Sequence, residues 1–152
     1  MTRLLLPFTH GIDVSAITSA LALAQRFSAT LVVLSLIPLP ETPDRGPRWE
    51  DIQQSHDFLE FVQHKAARWG VPVERIERYT HHTVCSIRTL AQEMECVGIV
   101  LIVRRGAGVL LATTEVKQLL EDESMSLHII RLPVKDCLFF LPRWFSRWFK
   151  ST

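Results

Sequence analysis

At 152 residues the chain has the size of a single domain with room for a full hydrophobic core. Its 47% apolar and 22% charged residues exclude a disordered or fibrous chain. A formal net charge of +1 gives no global attraction to nucleic acid, so no nucleic-acid partner is expected.

The first element is the apolar run "RLLLPF" (3–8), which suits a fully buried strand. Asp13 then stands where a helix cap belongs, ahead of Ile17, Leu21, Ala24 and Phe27 at helical spacing. "TLVVLSLI" (30–37) does not alternate and reads as a second buried strand. The proline-rich stretch 38–51 reads as a loop. Ile52, Leu59, Val62, Ala66 and Trp69 form the stripe of a longer helix that stops at Gly70. "VPVERIERYT" (71–80) alternates, as a less covered strand does. Thr83 opens a third helix with Val84, Ile87, Leu90, Ala91 and Met94 on its inner face. "GIVLIV" (98–103) is a fourth strand, a helix follows near 113–122, and "LHIIRLP" (127–133) is a last strand closed by Pro133. Strand and helix thus alternate four times before a fifth strand. Such an order implies α/β architecture, an open parallel sheet with helices on both faces and right-handed crossovers.

In such sheets ligands gather beyond the carboxyl ends of the strands, where the winding reverses. That rule singles out 7–13, 36–39 and above all "VRRGAGVLLATT" (103–114). A helix starting near Thr113 offers free N–H groups and a positive dipole end to phosphate. Thr113 and Thr114 add hydroxyls, Arg104 and Arg105 add charge, and Gly106 and Gly108 suit a close turn.

The order of elements and several local phrases resemble the universal stress protein family. "RLLLPF" with "SALALAQRFSATLVVLSLIP" is similar to that family's first strand, helix and second strand; "GIVLIV" with "TTEVKQLLEDESMSLHIIRLPV" is similar to its fourth strand, last helix and last strand. The resemblance covers about residues 2–134 and divides the chain into an α/β domain, 1–134, and a tail, 135–152. It implies a Rossmann-like, five-stranded parallel sheet of order 3-2-1-4-5. It also implies a homodimer through the last strand, here Leu127, His128, Ile129, Ile130, Arg131 and Leu132.

ATP-binding members of that family carry an acidic residue after the first strand, where this chain has Thr9. They also carry two glycines three positions apart, nine further residues, then Gly-Ser or Gly-Thr. Here Gly106 and Gly108 are two apart, only Val109–Ala112 intervene, and Thr113 stands in place of the last glycine. The resemblance therefore implies a degenerate nucleotide site at Thr9, Arg104, Arg105, Gly106, Gly108, Thr113 and Thr114. No cofactor is expected, ATP included. The alternative is a nucleotide-binding sensor that takes ATP, AMP or another phosphate ligand at 104–114.

Other residue sets do not assemble into chemistry. Cys85, Cys96 and Cys137 make no CxxC pair and are odd in number, which points to a reducing cytoplasm. His10, His56, His64, His81, His82 and His128 show no metal-ligand spacing, so no metal site is expected. With no nucleophile elbow and no triad to assemble, there is no catalytic residue to assign and the chain is expected not to be an enzyme.

The tail is the part least like that family. Lys135, Arg143, Arg147 and Lys150 against Asp136 give it a net +3, leaving −2 for the rest of the chain. If helical after Pro142, it sets Trp144, Phe145, Trp148 and Phe149 opposite Arg143, Arg147 and Lys150. That pattern suits an anionic membrane surface, a partner protein, or packing on the chain's own surface. The expectation is a cytoplasmic regulatory or stress-response protein without catalysis, with peripheral membrane contact open through the tail.

Overall fold

The computed structural model describes residues 2–42 and 44–134. Among them run β1 (Arg3–Phe8), α1 (Val14–Arg26), β2 (Thr30–Pro38), α2 (Trp49–Trp69), β3 (Val73–Thr80), α3 (Thr83–Glu93), β4 (Gly98–Arg104), β5 (Ala107–Val109), α4 (Thr113–Leu120) and β6 (Leu127–Arg131). Five of the strands form an open parallel sheet, β3-β2-β1-β4-β6, so the expected fifth strand is β6. The short β5 is an addition to the expected five: it runs antiparallel to β4 within what reads in sequence as a loop.

Successive side chains of a strand point to opposite faces, and the core divides accordingly. Leu4, Leu6 and Phe8 of β1 meet α1 and α2 on one face, while Leu5 meets α3 and α4 on the other. β2, with a neighbour on each edge and helices on both faces, is buried from Thr30 to Ile37, which is why its sequence does not alternate. β3 lies at the sheet edge and is only partly covered, as its alternation foretells. The rings of Phe8 and Phe58 stack at 3.9 Å and pin α2 over the carboxyl end of β1. Such a pair contributes about 0.5–1.5 kcal/mol beyond its buried area.

Two helical stripes differ from expectation. Phe27 is not on the inner face of α1; it caps the helix and is 52% exposed, because the chain turns at Ser28 (φ 51°) to enter β2. In α2 the buried positions are Ser55, Phe58, Val62 and Ala66, while Ile52, Leu59 and Trp69 are half-buried. Ser55 is tolerated inside because its hydroxyl lies 2.6 Å from that of Ser35 and donates to Glu77 Oε2 at 2.7 Å. A search for apolar spacing passes over a serine.

Cys137 and the tail residues Arg143, Trp144, Phe145, Arg147, Trp148, Phe149 and Lys150 lie outside the described residues. No helix among the described residues is long and apolar enough to cross a membrane.

Candidate functional site

The winding of the sheet reverses between β1 and β4, whose registers meet only at Leu4–Gly98 and Leu5–Ile99. Ile102 and Val103 pair with both β5 and β6, so those two strands occupy opposite edges of β4. At Ile99 the edges are taken by β1 and β6. β5 therefore shares an edge with β1 and stands in the gap where the two parallel strands part.

Hydrogen bonds fix β5 there. The carbonyl of Leu110 accepts from the N–H groups of Thr9 (2.8 Å) and His10 (3.3 Å), tying the hairpin to the end of β1. Leu110 and Leu111 are buried, Leu110 with a left-handed backbone (φ 73°). Such a conformation costs a non-glycine residue about 1–2 kcal/mol and persists where packing holds it. Gly106 (φ 76°) makes the hairpin turn. The role of Gly108 is different. A Cβ there would lie 2.5 Å from the Leu111 carbonyl oxygen and 3.0 Å from Val116 Cγ2. The chain itself, folding back onto α4, fills the space beside this glycine.

The polar groups singled out in the sequence are likewise engaged. Thr9 Oγ1 donates to Glu115 Oε1 at 3.2 Å, and the same oxygen accepts from the N–H of Ala112 at 2.8 Å. Ala112 has no side-chain acceptor, so Glu115 supplies a carboxylate at the start of α4, where a phosphate would otherwise be favoured. Thr113 Oγ1 accepts from Gly108 N–H at 3.0 Å, while Thr114 is exposed. Arg104 Nη1 lies 2.8 Å from Asp13 Oδ2, with both side chains mostly buried (23% and 15% exposed). Asp13 uses its other oxygen to accept from Ala16 N–H at 3.0 Å, the cap foreseen in the sequence. Arg104 Nε and Nη2 are buried without a hydrogen-bond partner among the described residues.

The expected constellation is thus split. Thr9, Arg104 and Gly108 belong to the filled gap between β1 and β4. Arg105, Gly106 and Thr113 instead line a separate cavity of about 470 Å³ between α4 and β6. A second, wider hollow of about 760 Å³ runs from His81, His82 and Cys85 at the start of α3 to Glu115 and Glu121 on α4. The ion pair between Arg88 and Asp122 (2.6 Å) stands beside it. Ser124 donates to Asp122 through its hydroxyl and N–H and, with Arg88, holds that carboxyl below the ordinary carboxylate range. Sequence reading missed both cavities, which arise where separate elements pack in space. Among the described residues no group of His, Cys, Asp and Glu is arranged to hold a metal ion.

The last strand, with the expected dimer residues, is the sheet edge beyond β4: Ile129 is 51% exposed, Arg131 exposed and Leu132 buried. Ile130 packs toward α1 and α2, and the His128 ring meets that of Phe27 at 5.5 Å, tilted by 57°.

No protein-family model matches the sequence. No curated protein matches it either. Solved structures do. A universal stress family protein from Burkholderia pseudomallei superposes with a TM-score of 0.68 at 19% identity, over 85% of this chain and 95% of that one. The universal stress protein from Archaeoglobus fulgidus in complex with dAMP gives 0.65 at 15% identity, over 86% and 98%. An Arabidopsis thaliana universal stress family protein with AMP bound gives 0.62 at 13% identity, over 90% and 95%. The chain has the fold of the universal stress proteins, and its β4–β5 hairpin is set into the gap between β1 and β4.

Proposed function

We propose that this chain is a non-catalytic regulatory module of the universal-stress type that does not take ATP between β1 and β4. The observation that carries the reading is β5 in that gap, bonded through Leu110 to Thr9 and His10. Glu115 adds a carboxylate where phosphate charge would have to sit, and Arg104 is already paired with Asp13. The module acts in the cytoplasm as a homodimer through β6, whose outer edge pairs with no other strand among the described residues. Its basic, aromatic tail docks on a partner protein or an anionic membrane surface.

Calorimetry of the full chain with ATP, AMP and cyclic AMP tests the central part. The expected result is no saturable heat with any of the three at millimolar nucleotide. Micromolar ATP affinity that Gly106→Asp abolishes would overturn it. One observation favours the second reading, a nucleotide sensor at 104–114: Nε and Nη2 of Arg104, buried and without a hydrogen-bond partner among the described residues, can donate to an anion's oxygens. In that case Arg104→Met weakens nucleotide binding at least tenfold.

A further inference from the structure

The 470 Å³ cavity between α4 and β6 has the size of a small-molecule site, and its walls have a definite chemistry. Val103, Val116, Leu120, Ile129 and Leu132 make it aliphatic. Leu120 is 45% exposed and Ile129 51% exposed, two large apolar side chains left half in water at one place. Lys117 and Arg131 bring positive charge to the same cavity, and its lining among the described residues includes no carboxylate. An apolar floor under a cationic rim calls for an occupant with an apolar body and an anionic head.

The occupants available within the protein do not fit. The tail carries a net +3, so its cations would meet those of the rim. A second copy paired along β6 would bring its own Arg131 to this edge, a cation against the cationic rim. A nucleotide finds no aromatic ring among the described residues of the lining on which to stack its base. An unbranched acyl chain matches the valine, leucine and isoleucine walls, and its carboxylate matches the rim.

We infer that this cavity is a binding site for an aliphatic carboxylate of the fatty-acid class, with the chain against Leu120 and Ile129 and the head group at Lys117 and Arg131. The inference is independent of whether nucleotide enters between β1 and β4.

Titration of the full-length chain with sodium decanoate, below its micellar concentration, tests this, with octanoate, decanol and inorganic phosphate alongside. The expected result is saturable decanoate binding, about fifteenfold tighter than octanoate because each of its two extra methylenes strengthens binding about fourfold. Decanol and phosphate bind at least tenfold more weakly than decanoate. Lys117→Glu with Arg131→Glu abolishes decanoate binding while the unfolding midpoint stays within a few degrees. The neutral pair Lys117→Gln and Arg131→Gln, a milder surface change, lowers affinity at least tenfold. Absence of saturable decanoate binding overturns the inference. So does equal binding of decanol, or decanoate binding that survives both paired substitutions, since the ligand then sits elsewhere.

Discussion

Gly108 illustrates how one residue can carry two meanings. In sequence it is a glycine beside a helix start, the ordinary ingredient of a phosphate turn. In the folded chain its missing Cβ makes room for the Leu111 carbonyl and Val116. Gly108→Ala is therefore expected to cost about 1–3 kcal/mol by overpacking, read as a fall in the denaturant midpoint, with or without nucleotide. A glycine that served only a ligand would accept alanine with little loss of stability. The cysteines differ at the same scale. Cys85 is exposed, whereas burial pushes the half-buried Cys96 thiol up from its ordinary value. In a Cys137→Ser background a maleimide should label Cys85 well before Cys96, as mass spectrometry of the digested protein would show; the reverse order would contradict the packing around Cys96.

Among the elements, the strands and helices of the sheet were legible because each has a strong local pattern. β2 and β4 are apolar without alternation, α1 follows a capping Asp13, and α2 ends at Gly70. β5 was not legible. Its three residues, Ala107–Val109, have no strand pattern, and they pair only because Gly106 turns the chain back along β4. Asp13 serves two elements at once, capping α1 and pairing with Arg104 at the end of β4. Asp13→Ala should cost about 2 kcal/mol, of which roughly 1 is the lost cap, whereas Asp13→Asn keeps the cap and costs less. No loss in Asp13→Asn on thermal unfolding would show that the pair contributes nothing, and equal losses in the two variants would show that the cap contributes nothing. The connection from α4 to β6 depends on Asp122. A carboxyl held below its unfolded value adds stability that is present above that value, about 3.9, and is lost as pH falls through the folded value. Acid unfolding should thus be shallower in Asp122→Asn than in the parent below about pH 4.

For the molecule as a whole, the alternation of strands and helices carried the topology, and the two glycines marked the stretch where the chain turns back along β4. The closing of the gap between β1 and β4 did not show in the pattern, because it rests on contacts between residues about a hundred positions apart: Thr9 with Leu110 and Glu115. The central claim is that the chain itself fills the gap between β1 and β4. It is tested most directly by amide NMR of the labelled full-length protein, following Thr9, Gly108 and Thr113 during titration with ATP. These amides should stay fixed to millimolar ATP, with Thr9 protected from hydrogen exchange throughout. Saturable shifts of all three at micromolar ATP, with exchange at Thr9 altered, would contradict it.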